Sequence, residues 1–375
     1  MRTFKAFIAA LSLVSVSLIS VESVSAATYV YVSNADDGDI GLYTLESDGT
    51  LKPGDKFGAG GKPVMPMSVS PDKKYLFAAV RAKPFTAVTY SIDRKNDKLK
   101  EVGRGPLAES FPYIWADKTG KFLLGASYGA NLVSVNAIGK DGKVAEPHQV
   151  IPTARNAHAI ITDKTNRWVF VPHLGTDQVF QFRFDAKTGK LAANTPPTVQ
   201  IKQGAGPRHI ILSADNKFAY LLNELTAVVT TLSLDEKTGL LTQVSEASAL
   251  APDSKLKPGA GRPSPGRDVS QDIWASDLHL TPNGKFLYAA ERTGNQIGAF
   301  SVDGATGKLT YLSTTPTEAQ PRGFRIDPTG KFMIVSGEKS ETLSSYAIGA
   351  DGSLKRIGQY PTGKGSNWVE IVSFD

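Results

Sequence analysis

Seven times along the chain a short turn of the Asp-Gly or Thr-Gly type leads into an apolar residue, at Leu51, Leu99, Val144, Leu191, Leu241, Leu309 and Leu354. The intervals are 48, 45, 47, 50, 68 and 45 residues. A repeat in the mid-forties, in a chain dense in Gly, Thr, Val and Lys, is the mark of a β-propeller whose blades are four-stranded sheets. Four strands and their turns fill such a unit and leave no room for helices.

A second marker keeps the same period. An aromatic residue follows a polar turn at Tyr75, Phe122, Trp168, Phe218, Phe286 and Phe332, spaced 47, 46, 50, 68 and 46 residues. Each opens a run of β-favouring residues such as Tyr75-Leu76-Phe77-Ala78-Ala79-Val80. A short strand precedes each turn, as in His209-Ile210-Ile211-Leu212, and two more form the hairpin closed by the Thr-Gly-Lys-Leu turn. We label the four A to D in chain order. The final segment Trp368–Val372 has the look of strand A, whereas Thr28–Val32 reads as strand B and Gly41–Leu45 as strand C. The expectation is an all-β chain: a seven-bladed propeller of four-stranded antiparallel blades, its ring closed by N- and C-terminal strands sharing one blade.

Residues 1–26 read as a cleaved secretory signal. Arg2 and Lys5 precede an apolar stretch from Phe7 to Val21, and Val24-Ser25-Ala26 offers small residues where a signal peptidase cuts. Residues 27–375 are then a single propeller, exported to the periplasm or medium, with no stable membrane insertion after cleavage. Its one long interval holds an extended loop at about 251–272, rich in Pro, Gly, Lys and Arg. The absence of cysteine excludes a disulfide, a thiolate nucleophile and a Cys-ligated metal. A net charge of +6 is spread over lysines in turns, with no basic run, so a small anionic molecule is the expected partner rather than nucleic acid. A monomer is expected.

In a propeller the start of strand A and the end of strand B open on one face, at the mouth of the central channel. Ten residues before the aromatic markers stand Met65, Pro112, His158, Arg208, Ser276 and Arg322. Six residues after them stand Arg81, Tyr128, Leu174, Glu224, Arg292 and Glu338. Neighbouring positions add Tyr113, His209, Asp277 and His173. Arginine prevails on this rim and lysine on the opposite turns, and the planar guanidinium is suited to grip carboxylate or phosphate bidentately.

Gly204-Ala205-Gly206-Pro207-Arg208-His209, then Asn223-Glu224-Leu225, Glu291-Arg292-Thr293 and Gln320-Pro321-Arg322-Gly323-Phe324 resemble, in order and spacing, the seven-bladed lactonase family. That family includes propeller-type 6-phosphogluconolactonases and fungal carboxymuconate lactonizing enzymes. The resemblance covers essentially the whole chain after the leader. It implies an active site on His158, Arg208, Glu224 and Arg292, with Arg322 as a further ligand for the substrate anion; the register adds His209, Tyr128, Arg81 and Tyr113 as substrate-binding candidates. Tyr113 stands where the phosphogluconolactonase-like sequences are expected to carry a histidine.

Lactone hydrolysis needs a base to activate water, positive charge at the developing oxyanion, and a hold on the substrate. Glu224 or His158 is the expected base. A carboxylate among arginines is a weaker base, which favours His158. Arg208 and Arg292 are expected at the oxyanion and carboxylate, and Arg322 at the anionic tail. The alternatives are a non-catalytic exported propeller that binds a protein or glycan, and a carboxymuconate cycloisomerase-like enzyme that forms the lactone. Gly125-Ala126-Ser127-Tyr128-Gly129 fits the nucleophile-elbow pattern, but strand rather than helix follows it. His279 falls inside a strand A and is expected in the core or channel lining. No His or acid spacing suits zinc or calcium, and the glycine-rich 58–61 and 259–261 lack a following helix, so no metal and no cofactor are expected.

Overall fold

The computed structural model describes residues 27–94, 98–261 and 265–374, and among these the 28 strands form seven four-stranded sheets with no helix. All seven are antiparallel meanders running from the channel outward, as in Pro207–Leu212, Phe218–Asn223, Val228–Asp235 and Leu240–Ser248. The blade shared by both ends places Ser366–Phe374 innermost, then Ala27–Asn34, Asp39–Leu45 and Leu51–Gly58. Val30 thus pairs with Ile371 on one side and Tyr43 on the other. We call this blade 1 and number the rest in chain order. The proposed signal segment lies outside the described residues; Ala27 is already in the first strand.

Each of the six aromatic markers is the first residue of its B strand. These strands are buried on both faces by neighbouring blades, which is why they read as continuous apolar runs. The two sequence markers prove to be halves of one contact. Each ring lies against the turn glycine that precedes strand D in the following blade. Trp168 of blade 4 covers Gly239 of blade 5, where a Cβ would fall 2.1 Å from the indole. The same holds for Tyr75 on Gly142, Phe122 on Gly189, Phe218 on Gly307, Phe286 on Gly352 and Phe332 on Gly49. The last of these closes the ring from blade 7 to blade 1. Between blades 1 and 2 the Arg94 guanidinium lies 4.9 Å from the Phe374 ring centre instead.

The long interval is the connection from blade 5 to the inner strand of blade 6, Ala275–Leu280. It runs over the face where A strands begin: the Gly259 amide donates to the Leu225 carbonyl at 2.8 Å, and the Ile273 amide to the Lys257 carbonyl at 2.8 Å. Its return delivers Trp274 beside the channel mouth.

Gly49 has φ of +85°, and a Cβ there would lie 2.3 Å from Ile357 Cδ1 and 2.5 Å from Phe332 Cε1. Gly49→Ala combines a left-handed backbone penalty with displacement of the closing ring, so it should destabilise by about 2–4 kcal/mol. Gly304, whose Cβ would meet nothing within 4 Å, is the control: Gly304→Ala should stay within about 0.5 kcal/mol. Urea midpoints at unchanged m-value check both.

Candidate active site

Strand ends place the charged groups. Arg81, Tyr128, Leu174, Glu224, Arg292 and Glu338 are each the first residue beyond a B strand, and Met65, Arg208, Ser276 and Arg322 each the second residue of an A strand. His158 precedes the short inner strand of blade 4, its amide donating to the Pro172 carbonyl at 3.0 Å. Met65, Pro112, Leu174 and Ser276 occupy the equivalent positions without bringing a charge.

Glu224 is the hub. Its Oε2 accepts from Arg208 Nε at 2.7 Å and lies 3.2 Å from Arg292 Nη2, while its Oε1 accepts from Trp274 Nε1 at 2.9 Å. Both carboxylate oxygens are therefore engaged, by donors from blade 5, blade 6 and the insertion between them. Arg208, 2% exposed, also donates Nη1 to the Ser276 carbonyl and to His209 Nε2. Arg292 donates to the Trp274 and Ala275 carbonyls at 3.0 and 3.2 Å, and its guanidinium stacks on the Trp274 ring with Cζ 3.8 Å from the centroid. Burial, together with the Arg208 and Arg322 charges, draws Arg292 down to about 9, and the Glu224 charge opposes this, so it is a cation at neutral pH. Such a buried triad gains from mutual pairing and loses heavily when one member is removed.

Arg322 and Arg81 extend the positive rim. Arg322 Nη1 donates to Glu338 at 2.6 Å, whereas its buried Nε has no partner. Arg81 Nε donates to Ser110 Oγ at 2.9 Å, and burial plus the charge of Arg322 lowers its pKa to about 10. Four guanidinium groups thus face two carboxylates, Glu224 and Glu338, leaving the mouth able to attract an anion.

His158 is 5% exposed and its Nδ1 has no hydrogen-bond partner. Its ring meets Tyr128 edge-on at 5.7 Å between centroids and His209 at 5.3 Å. Burial, then the charge of Arg208, holds its pKa well below the ordinary imidazole value, so the ring is neutral at physiological pH.

His209 and Tyr113 lie one tier deeper than the rim. Arg208 donates to His209 Nε2, so His209 Nδ1 carries the proton and donates to Asp277 Oδ1 at 2.9 Å. His279 Nε2 donates to the other Asp277 oxygen at 3.1 Å, and Arg325 Nη1 meets His279 Nδ1 at 3.4 Å. Arg325 is itself paired with Glu370. Asp277 thus terminates two donor chains, and its carboxyl is held well below the usual range despite burial, chiefly by His279 and His209. Tyr113 packs edge-on against His209 and Trp368 and lines, with His209, His279 and Arg325, a cavity of about 200 Å³ that reaches Lys118 in an A–B turn. It therefore sits toward the opposite mouth rather than among the rim arginines. His279 lines the same cavity, as its register within strand A requires. His173 is spent internally, bonded to the Val171 carbonyl and Thr153 Oγ1 at 2.9 Å each. Ser127 ends a strand followed by a turn and another strand, not a helix, and donates to the Ser110 carbonyl at 3.1 Å.

The family described as "Lactonase, 7-bladed beta-propeller" has a sequence model that matches residues 19–371. The chain belongs to this family. Among its relatives, a protein of Serratia proteamaculans named 6-phosphogluconolactonase is 36% identical over 345 residues, which is 92% of this chain and 98% of the relative. Another of that name from Erwinia tasmaniensis is 36% identical over 349 residues, 92% of this chain and 99% of the relative. In structure, this lactonase chain superimposes on the periplasmic gluconolactonase PpgL of Pseudomonas aeruginosa with a TM-score of 0.81 at 26% identity, covering 92% of this chain and 99% of that one.

Two features escaped the sequence register. Trp274 falls in the one irregular interval; its signal is an aromatic at the return point of the insertion, two residues ahead of Ser276. Arg325 and Glu370 sit mid-strand, where the register counts do not reach.

His158, His173 and His209 are all neutral in the fold, the latter two drawn down to about 4 chiefly by burial. The unfolded chain binds protons on these groups near pH 6.5, so unfolding takes up protons in the window from about 6.5 to about 4 and stability falls as pH falls through it. Asp277, held low, keeps its stabilising charge throughout that window. Urea melts at pH 7, 5.5 and 4.5 should show a loss corresponding to an uptake of about two to three protons.

Proposed function

We propose that this protein is a lactonase that hydrolyses a sugar-type lactone bearing a carboxylate or phosphate at the Arg/His/Glu-lined channel mouth. The observation that carries this reading is a neutral buried imidazole with an unpartnered nitrogen, His158, beside a guanidinium cluster whose central carboxylate, Glu224, has a donor on each oxygen. Family membership and the 6-phosphogluconolactonase names of full-length relatives support it.

The geometry divides the labour. Glu224, with both oxygens engaged, orients Arg208 and Arg292 and is not the proton acceptor. His158 Nδ1 takes a proton from water as the water oxygen adds to the lactone carbonyl. Arg208 and Arg292 stabilise the oxyanion, being held in place beforehand by the Ser276, Trp274 and Ala275 carbonyls. Collapse of the tetrahedral intermediate breaks the ring C–O bond, and the departing alkoxide recovers the proton from His158, leaving an open-chain acid. The free Arg322 Nε, with Arg81 nearby, holds the anionic substituent.

Export fits this reading. Residues 1–26 read as a leader ahead of the first described strand, and a periplasmic gluconolactonase shares the architecture. The protein then acts on lactones outside the cytoplasm.

A pH-stat screen of the mature protein against sugar lactones, phosphorylated and not, and muconolactones should find turnover on the first class. Glu224→Gln and Arg208→Ala should each lower kcat/KM about 100- to 1,000-fold, with folding verified by thermal melting. Full turnover in both variants would show the site to lie elsewhere. Silence of the folded wild type across the panel would favour a propeller that only binds.

A further inference from the structure

We propose that Trp274 forms the floor of a glycosyl-binding subsite beside the reaction centre, so that the lactones accepted here include those in which the lactone ring carries a second, uncharged hexose. This rests on the lactonase reading above and names part of its substrate class.

Trp274 is an exposed indole that is nonetheless immobilised. The residue is 41% exposed, yet its Nε1 donates to Glu224 Oε1 at 2.9 Å, its amide donates to Glu291 Oε1 at 2.8 Å and its carbonyl accepts from Arg292 Nε at 3.0 Å. One face is covered by the Arg292 guanidinium. A large aromatic held rigid and left partly bare loses little entropy when something stacks on it, which is the economy that places tryptophan at binding sites.

The bare side borders a cavity of about 220 Å³ whose walls include Ala260, Gly261, Val269, Ile273, Asp272 and Thr293. Val269 is 44% exposed, so indole and valine form a small apolar surface open to solvent. Its edge is polar: Thr293 Oγ1 donates to the Asp272 carbonyl at 2.5 Å, and the Asp272 carboxylate pairs with Arg267 at 2.6 Å. A pyranose ring matches such a surface, with C–H bonds on its flat face to lie on the indole and hydroxyls at its periphery to meet the polar edge. Among the described residues the one carboxylate here is neutralised by its arginine and no unpaired cation lines the cavity, and on that lining a neutral sugar is the better fit here and a phosphate at Arg322.

Position supplies the rest. The indole N–H is bonded to the carboxylate that holds Arg208 and Arg292, so a ring stacked on Trp274 neighbours the lactone at those arginines. All the walls but Thr293, which lies in a turn of blade 6, come from the insertion after blade 5, which makes the subsite chiefly a property of that insertion.

The test compares kcat/KM for cellobiono-1,5-lactone and glucono-1,5-lactone, together with calorimetric titration of cellobiose, which is not turned over. Wild type should process the disaccharide lactone at least as well as the monosaccharide and should bind cellobiose. Trp274→Ala and Val269→Glu should each lower the disaccharide-to-monosaccharide ratio about tenfold or more, mainly through KM of the larger lactone, and Val269→Glu should abolish cellobiose binding. Trp274→Phe, which keeps a flat ring, should hold the ratio within about threefold. An unchanged ratio in both Trp274→Ala and Val269→Glu, or wild type that binds no cellobiose, overturns the subsite while leaving the lactonase reading intact. Cellobiose binding that Val269→Glu abolishes, in a protein that turns over neither of these lactones nor any phosphorylated or carboxylated lactone of the panel above, upholds the subsite and overturns the lactonase reading.

Discussion

Contact between an aromatic ring and the turn glycine of the next blade is the constraint on which the rest of this molecule depends. A propeller has no central core. Its stability comes from flat blades packed face to face, and that packing must repeat without accumulated error for the ring to close. Seating each B-strand ring in space that only glycine leaves free sets both spacing and rotation of adjacent blades at the rim farthest from the channel mouth. Phe332 on Gly49 and the pairing of Val30 with Ile371 then join the last blade to the first, so that Ala27–Asn34 is paired on both sides instead of being a sheet edge.

A closed ring has a consequence for charge. It draws the starts of all the A strands onto a narrow mouth, where Arg208, Arg292, Arg322 and Arg81 would repel one another. Glu224 makes the arrangement tenable by accepting from two of the arginines and from Trp274, and Glu338 does the same for Arg322. Neutralising only part of the positive charge leaves the mouth attractive to an anion. Burial, with the same positive surroundings, keeps His158 neutral, so in the proposed mechanism one charge distribution serves both binding and proton transfer.

Much of this was legible in the chain because the repeat is a local property. Turn chemistry recurs wherever a hairpin must bend back, and strand B reads as apolar wherever it lies between two blades, so period, blade number and shared blade could all be counted. Counting ten back and six forward placed Arg208, Glu224, Arg292 and Arg322 on one rim because strands A and B are six residues each in the three blades that carry them. The same count put Tyr113 near the rim arginines. A strand alternates its side chains, however, and a neighbouring position points to a different tier, so Tyr113 faces the cavity toward the opposite mouth. Trp274 was invisible to the count because it lies in the only interval that breaks the period.

Sequence alone therefore determined the number of blades, the closure and the face on which charge collects, since each follows from spacing along the chain. Which groups are engaged and which are left free was decided by tertiary structure. Glu224 has both oxygens engaged because Arg208, Arg292 and Trp274 converge on it from two blades and an insertion. His158 keeps an unpartnered Nδ1 because no donor or acceptor from the neighbouring strands reaches it. Hydrogen bonds depend on distances of a few tenths of an ångström between residues far apart in the chain, and no periodicity encodes those.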